Sequence, residues 1–303
     1  MATRGSPVIA VFTKNRTNPA YAAARLGAER VAARMGARIA HYVPEKPDDL
    51  AEQKALVERA IAARPDAAVF VPVHATAMRE SVHKINAAGI PTVNYLNRLP
   101  EGQFVTYVGS DDYQLARDIA AHLFRHIGGK GNIVILEGVP AAVTSQERMR
   151  GFRDAVRDAP GIRIIATRAA DYQQETARRA TAELLAALPR VDGMLCANDV
   201  MALGAIEALE AAGRRVPLVG VNAIPDAIAA IKSGKLLATV DFDAMAISSI
   251  ATEAAIRHLR GERVPTEIIL PVRTVDAANY QPWDRPLEAR VSPRWEDIVT
   301  APQ

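Results

Sequence analysis

The sequence predicts an α/β fold in which two doubly wound, parallel-sheet lobes share the chain. Three observations lead to this prediction. Short apolar runs alternate with amphipathic helical patterns, the apolar runs show no period of two, and the chain has 303 residues. Continuous apolar runs are typical of parallel strands covered on both faces, and their alternation with helices is typical of doubly wound folds. About nine or ten strands are many for one sheet, so two sheets of about five or six fit better.

Each predicted strand is a short, mostly apolar run bounded by polar or glycine-containing segments. In chain order these runs are Val8–Phe12, Arg38–Val43, Ala68–Pro72, Thr92–Leu96, Ile133–Glu137, Arg163–Thr167, Gly193–Ala197, Leu218–Val221 and Leu236–Val240. Because none of them alternates apolar with polar residues, we expect each strand to be buried on both faces.

The segments between the strands show the three-to-four-residue apolar period of helices that cover a sheet. The first helix is expected to begin at Pro19, with Asn18 as its cap, and to end at Gly36. The other predicted helices are Leu50–Ala63, Met78–Ala88, Tyr113–Ile127, Ser145–Asp158, Gln174–Leu188, Val200–Ala212, Pro225–Ser233 and Ala244–Arg260. The segment from Asp276 onward has no such period, and we expect it to wrap the surface of one lobe, with Trp283 and Trp295 as anchors.

Composition and charge exclude several classes of protein. A single cysteine, Cys196, leaves no intrachain disulfide framework and no four-cysteine metal site. The 37 Lys and Arg residues are interleaved with 34 Asp and Glu residues, whereas a nucleic-acid surface needs clustered positive charge. No apolar stretch is long enough to span a membrane. Residues 1–7 lack the apolar core of a secretory signal, which is expected either of a cytoplasmic protein or of a mature form whose leader has been removed.

No enzyme motif stands out. The sequence contains no dinucleotide-binding, phosphate-loop, nucleophile-elbow or zinc-protease pattern. Gly128–Gly131 follows a helix and precedes a strand, so it is expected to be a turn rather than a phosphate loop. His122 and His126 lie one helical turn apart, but no nearby carboxylate or cysteine completes a metal site. Cys196 is expected to be a buried, inert thiol.

Polar residues that follow the strands are the remaining candidates for function. They are Lys14 to Asn18, Asn97 and Arg98, Asn198 and Asp199, Asn222, and Asp241. Ligands of open α/β sheets bind outside the carboxyl ends of the strands. Asn both donates and accepts hydrogen bonds and Arg presents a fork of donors, which suits neighbouring hydroxyl groups. The alternative is that each Asn or Asp is only a helix cap or a turn former.

An ordered set of short motifs resembles the ribose-binding-like, type I periplasmic sugar-binding proteins of ABC transporters. The motifs are Val8–Tyr21, Gly89–Pro91, Val108–Asp111, Arg148–Phe152, Asp171–Tyr172, Cys196–Ala205, Val219–Asn222, Pro225–Asp226 and Gly234–Val240, and together they cover about residues 8–275. The effector domains of LacI-type repressors resemble the sequence in the same motifs. Those repressors carry a helix-turn-helix domain before the first strand, whereas here only seven residues precede Val8.

The resemblance implies two lobes that the chain crosses at three points, near Ser110–Asp111, Val240–Asp243 and Leu270–Pro271. The first lobe would hold residues 1–110 and 242–270, and the second would hold residues 111–241 and 271–303, including the tail. It implies that a small sugar, polyol or sugar acid binds between the lobes and that the hinge closes on it. It also implies a monomer in the periplasm, with its signal peptide removed, that serves a membrane permease and uses no cofactor, metal or nucleic acid.

The resemblance also implies the residues that contact the ligand. They are Lys14, Asn18, Tyr21, Asn97 and Arg98 in the first lobe, Arg148, Tyr172, Asn198 and Asn222 in the second, and Asp241 and Phe242 at the hinge. An aromatic ring at Tyr21 or Tyr172 would stack on the apolar face of a sugar, while the polar groups fix its hydroxyls. No catalytic residue is implied.

Three departures from the family pattern bear on the ligand. Binders of neutral sugars usually have Asp at the positions of Asn97 and Asn222 and an amide at Phe242. Here two carboxylates are absent, while the cations Lys14, Arg98 and Arg148 remain.

A buried cation needs a counter-charge, which Asp199, Asp241 or an anionic ligand could supply. The sequence therefore leaves a neutral polyol and a sugar acid open as ligands. It also leaves open a ligand-sensing protein or a regulator-type effector module without a DNA-binding domain.

Overall fold

The computed structural model describes residues 5–299 of the chain. The chain divides into two compact units. Unit 1 comprises Met1–Ser110, Asp243–Leu270 and Val291–Gln303, and unit 2 comprises Asp111–Phe242 and Pro271–Arg290, so that both are interleaved in sequence. None of the helices within the described residues combines the length and the apolar composition that a membrane crossing needs.

The structure confirms every predicted strand and adds three. In chain order the strands are β1 (Val8–Phe12), β2 (Arg38–Tyr42), β3 (Ala67–Phe70), β4 (Thr92–Tyr95), β5 (Thr106–Gly109), β6 (Gly131–Glu137), β7 (Ile162–Ala169), β8 (Gly193–Cys196), β9 (Leu218–Val219), β10 (Ala238–Asp241), β11 (Glu267–Ile269) and β12 (Arg273–Asp276). The added strands β5, β11 and β12 are short, and β11 and β12 lie at sheet edges. Edge strands are covered by fewer neighbours, so they do not need an apolar run.

Every predicted helix is also present. The helices are α1 (Pro19–Met35), α2 (Leu50–Ala63), α3 (Arg79–Ala87), α4 (Asp112–His126), α5 (Val143–Arg157), α6 (Gln174–Ala187), α7 (Asp199–Ala211), α8 (Pro225–Lys232), α9 (Ala244–Leu259) and α10 (Trp295–Ile298), with a 3₁₀ turn at Leu287–Ala289. As predicted, Asn18 caps α1, and Gly36 ends it in a left-handed conformation.

Each unit is built on one six-stranded sheet. In unit 1 the strand order is β11-β5-β4-β3-β1-β2, and every pairing is parallel. In unit 2 the order is β12-β10-β9-β8-β6-β7, and β12 runs antiparallel to β10 while the other pairings are parallel. The carboxyl ends of the parallel strands therefore meet at one edge of each sheet.

The C-terminal tail departs from the expectation that it follows one lobe. Residues 271–290 group with unit 2, and the residues from Val291 group with unit 1. Trp283 bonds to Asp241 in unit 2, whereas Trp295 is buried in unit 1 beneath the guanidinium of Arg257. The two Trp residues thus anchor the tail on different units, and the chain passes between the units at a fourth point, Arg290–Val291, beyond the three that the resemblance implies.

Glycine allows three helix pairs to pack closely. A Cβ added to Gly27 would lie 2.4 Å from the carbonyl oxygen of Met245 on α9, one added to Gly151 would lie 2.5 Å from that of Tyr113 on α4, and one added to Gly204 would lie 2.1 Å from that of Gln174 on α6. These contacts are backbone atoms, which do not move aside as a flexible side chain does. Each glycine therefore sets the distance between its two helices.

We predict that Gly204→Ala destabilises the protein although alanine is the better helix former by about 1 kcal/mol. Overpacking a tight contact costs roughly 1–3 kcal/mol, so a net loss in the free energy of unfolding is expected. Urea denaturation measures it. Gly5→Ala is the matched control, because nothing lies within 4 Å of a Cβ at Gly5. A Gly204→Ala variant as stable as the control would show that α6 and α7 are not in tight contact there.

Candidate ligand-binding site

The residues predicted to contact a ligand lie at the carboxyl edges of the two sheets. In unit 1 the edge carries Lys14, Asn18 and Tyr21 after β1, and Asn97 and Arg98 after β4. In unit 2 it carries Tyr172 after β7, Asn198 after β8, Asn222 after β9, and Asp241 and Phe242 at the end of β10, with Arg148 reaching in from α5.

Lys14 is buried and has a carboxylate partner. Its Nζ lies 2.9 Å from Oδ1 of Asp48, and both side chains are almost fully buried. Oδ2 of Asp48 accepts a hydrogen bond from Nδ2 of Asn15 at 2.9 Å. In turn, Oδ1 of Asn15 accepts from the backbone N–H of Asn18 at 3.0 Å. This chain of contacts ties the loop after β1 to the loop after β2 and balances the charge of Lys14.

Asn18 and Tyr21 lie at the start of α1. Oδ1 of Asn18 accepts from the backbone N–H of Ala20 at 3.0 Å, so this oxygen does cap the helix. Tyr21 is half-buried in the first turn. The side-chain oxygen of Asn18 therefore acts as a helix cap, which is the alternative to a ligand contact.

Asn97 and Arg98 follow β4 but differ in exposure. Asn97 is buried, whereas the side chain of Arg98 is half exposed. The guanidinium of Arg98 pairs with Glu267 of β11 and lies 4.0 Å from the ring centroid of Tyr107. Arg98 is thus held by a carboxylate and an aromatic ring of its own unit.

Arg148 is the buried cation of unit 2. Its Nε and Nη2 both lie 2.8 Å from Oδ1 of Asp112, and its Nη1 donates to the backbone oxygen of Ala197 at 2.7 Å. Its guanidinium also lies 5.6 Å from the ring centroid of Phe242. Burial raises the pKa of Asp112, and the charge of Arg148 opposes that rise. The pair fixes Arg148 beside the end of β8.

Each cation in the predicted site has a protein carboxylate partner: Asp48 for Lys14, Glu267 for Arg98 and Asp112 for Arg148. Asp48, Glu267 and Asp112 are thus the nearest counter-charges, and none of them was identified from the sequence; Asp199 also interacts with the charge of Arg148. Sequence reasoning missed the partners because two of them lie more than 30 positions from their cations and the third more than 160. Asp112 directly follows the motif Val108–Asp111, whereas Asp48 and Glu267 lie in none of the motifs.

Asn198 and Asn222 each carry a buried polar atom that no protein group satisfies. Oδ1 of Asn198 caps α7 by accepting from the backbone N–H of Met201 at 2.9 Å. Its Nδ2, a donor, and Oδ1 of Asn222, an acceptor, have no hydrogen-bond partner within the part of the chain that the structure describes. Leaving such a group unsatisfied costs about 1–3 kcal/mol. A ligand hydroxyl can accept from the first and donate to the second.

Tyr172 lies at the end of the loop after β7, with a left-handed backbone at φ 59°. Its hydroxyl is 3.3 Å from Oγ1 of Thr144 on α5. Gly138 leaves room for its ring, because a Cβ there would lie 2.1 Å from Cζ of Tyr172. Gly138 therefore makes room for the ring of a predicted ligand contact, which the sequence did not reveal.

Asp199 holds the loop that carries Asn222. Its side chain is fully buried; Oδ1 accepts from the hydroxyl of Thr239 at 2.6 Å, and Oδ2 accepts from the backbone N–H of Ile224 at 3.1 Å. A Cβ on Gly220 would lie 2.2 Å from that Oδ1, so glycine is needed there. Burial raises the pKa of Asp199 to about 6, although these hydrogen bonds and the charge of Arg148 lower it.

The other motifs take no part in this site. Cys196 is fully buried, and burial raises the pKa of its thiol. Gly128 and Gly129 form a left-handed turn between α4 and β6. His126 is exposed, while His122 is half-buried, with Nε2 3.9 Å from Oδ2 of Asp276. Between residues 5 and 299, no three His, Cys, Asp or Glu side chains are grouped to hold a metal ion.

We predict that Asp199→Asn changes how stability depends on pH. A carboxyl with a pKa of about 6 in the folded protein and an ordinary value of 3.8 takes up a proton on folding between those values. The wild type should therefore lose stability relative to the variant as the pH rises from about 4 to 6. Urea unfolding at several pH values measures the difference, with the exposed Asp226→Asn as control. A difference that stays constant over this range would contradict the prediction.

The chain is similar to known proteins over most of its length. Residues 9–263 match the periplasmic binding protein domain. The ribose import binding protein RbsB of Bacillus subtilis is 30% identical over 265 residues, which cover 88% of this chain and 85% of that protein.

Two solved structures are similar over nearly the whole chain. One is an ABC transporter periplasmic solute-binding protein from Actinobacillus succinogenes with bound D-allose; it has a TM-score of 0.85 and 32% identity and covers 90% of this chain and 98% of its own. The other is an ABC transporter solute-binding protein from Bacillus halodurans with bound myo-inositol, with a TM-score of 0.86, 26% identity and coverage of 94% and 99%. The chain therefore belongs to the periplasmic binding protein family, as a ribose-binding-like member of type I.

Proposed function

We propose that this protein is the solute-binding component of an ABC importer and that it binds a neutral sugar or polyol. The observation that carries the proposal is the pair of unsatisfied buried atoms, Nδ2 of Asn198 and Oδ1 of Asn222. One is a donor and one is an acceptor, and both belong to loops at the carboxyl edge of the unit 2 sheet. A polyhydroxy compound satisfies both kinds of group with a single type of functional group.

The charges of the site support a neutral ligand over a sugar acid. The buried cations Lys14 and Arg148 each have a buried carboxylate within 2.9 Å, so neither needs an anionic ligand for charge balance. The ligands named for the similar structures, D-allose and myo-inositol, are also uncharged. Both lines of support point to hydroxyl groups as the feature that is recognised.

The role of the relatives supports the remaining parts of the proposal. Import binding proteins deliver a solute to a membrane permease, so we propose such a permease as partner, a location outside the cytoplasm and no catalytic step. A periplasmic location with a removed signal peptide, a monomeric state and hinge closure around the ligand stay predictions of the family resemblance.

We predict that neutral sugars and polyols raise the melting temperature and that sugar acids do not. A ligand present at about 100 times its Kd adds about 2.7 kcal/mol of stability to the folded state. A thermal-shift panel of D-ribose, D-allose and myo-inositol against D-gluconate and D-ribonate measures this. If only the acids raise the melting temperature, the ligand is anionic and the charge argument fails.

We predict that Asn198→Ser weakens ligand binding without unfolding α7. Serine is also a good N-cap, so the substitution keeps an oxygen for the backbone N–H of Met201 and removes the Nδ2 donor. Loss of one hydrogen bond, about 0.5–1.5 kcal/mol, raises Kd roughly two- to tenfold. Calorimetric titration with the best sugar of the panel gives Kd.

Asn86→Ser is the matched control, since Asn86 lies on α3 of unit 1 and its side-chain amide bonds to the backbone of Gln103. Equal Kd values for the two variants would exclude Asn198 from the site. Arg148→Ala is a poorer test, because it strips the buried carboxylate of Asp112 of its partner, which costs about 3–5 kcal/mol of stability.

A further inference from the structure

The segment from Pro271 to Arg290, here called the unit 2 tail, lies beyond the residues 9–263 that the family domain matches. Its last 14 residues, from Ala277, follow β12 and contain no strand or α-helix. Two of its side chains, Trp283 and Arg290, are half-buried against unit 2. The unit 2 tail therefore lies outside the part of the chain that the family domain matches.

Both side chains reach loops that carry predicted ligand contacts. Nε1 of Trp283 donates to Oδ2 of Asp241 at 2.6 Å, next to Phe242. Nη1 of Arg290 donates to the backbone oxygen of Ala223 at 3.3 Å, next to Asn222. Nη2 of Arg290 donates to the backbone oxygen of Trp283 at 3.0 Å, so the two tail contacts also support each other.

The loop at Asn222 and Ala223 needs such support because its backbone is strained. Asn222 has φ 130° and Ala223 has φ 50°, conformations that residues other than glycine rarely adopt. Strain of this kind persists only where the surroundings over-determine it. From inside the unit, Thr239 accepts from the N–H of Ala223 and Asp199 accepts from that of Ile224. Arg290 adds the restraint on the opposite side of the peptide, at the carbonyl of Ala223.

We infer that Trp283 and Arg290 are positioning residues for ligand binding: the tail holds the loops of Asn222 and Phe242 in the geometry that the ligand meets. The inference rests on the proposed function. It gives Asp241 a different role from the one that the family resemblance implies, because its carboxylate oxygen binds the tail. The effect on the ligand is indirect, since neither Trp283 nor Arg290 belongs to the predicted contacts.

The test uses Trp283→Phe, which keeps an aromatic ring and removes the N–H, and Arg290→Met, which keeps the apolar stem and removes both donated hydrogen bonds. Trp295→Phe is the matched control, because Trp295 follows the unit 2 tail in sequence but packs in unit 1. Amide hydrogen exchange of the ligand-free full chain is followed in peptides that cover residues 220–225 and 240–243. We expect faster exchange there in Trp283→Phe and Arg290→Met and no change in the control.

Binding of the best neutral sugar of the panel gives the second readout. We expect Kd to rise about two- to tenfold in both tail variants, as for the loss of one hydrogen bond. Arg290→Lys should restore part of the affinity, because lysine can donate to one of the two carbonyls but lacks the fork that reaches both. Unchanged exchange and unchanged Kd in the tail variants would overturn the inference.

A double-mutant cycle separates a positioning role of Asp241 from direct ligand contact. Asp241→Leu should raise Kd in the wild type and raise it by less in the Trp283→Phe background, because the hydrogen bond between the two side chains is already lost there. A full further loss in that background would show that Asp241 contacts the ligand and would overturn the assigned role. If no neutral sugar binds the wild type, the proposed function fails, whereas the exchange measurement still decides whether the tail holds the loops.

Discussion

A carboxylate that leaves water must be compensated by hydrogen bonds or by opposite charge, and three such carboxylates organise the loops where the strands end. Asp48 binds Lys14 and Asn15 after β1. Asp112 binds Arg148, whose guanidinium in turn binds the backbone oxygen of Ala197 at the end of β8. Asp199 binds Thr239 and the backbone N–H of Ile224 after β9. Because each carboxylate joins two segments distant in sequence, the loops are fixed before any ligand arrives.

Fixed loops explain how polar atoms can stay buried without partners. Nδ2 of Asn198 is held in place because Oδ1 of the same amide caps α7, and Asn222 is held by the loop that Asp199 fastens. The amide of Asn198 cannot turn to another protein group without releasing the backbone N–H of Met201. A ligand that supplies the missing hydrogen-bond partners recovers the free energy that the unsatisfied buried atoms cost. A side chain that is already oriented also loses little conformational entropy on binding. A hydroxyl group can supply these partners without adding charge, which suits a site whose buried cations already have carboxylate partners.

The sequence predicted helices α1 to α9 and every strand except β5, β11 and β12, because apolar runs and helical periods are local patterns. It missed β12 because an antiparallel edge strand carries Arg, Thr and Asp rather than an apolar run. It placed the candidate residues at strand ends from motifs alone, but it did not identify Asp48, Glu267 and Asp112 as partners of the cations. The pairing of Arg148 with Asp112 depends on how α4 packs on α5, which no local pattern encodes. The role of the tail was missed for the same reason: Trp283 and Asp241 are 42 positions apart.

The most direct test is the side-chain amide resonance of Asn198 in protein labelled with ¹⁵N-asparagine. On saturation with a neutral sugar that binds, the Nδ2 group should donate a hydrogen bond to a ligand hydroxyl. We therefore expect its resonance to shift and the exchange of its hydrogens with water to slow, while the side-chain amide of Asn86 stays unchanged. A sugar that saturates the protein and leaves the Asn198 resonance unmoved would contradict the claim that this buried donor recognises the ligand.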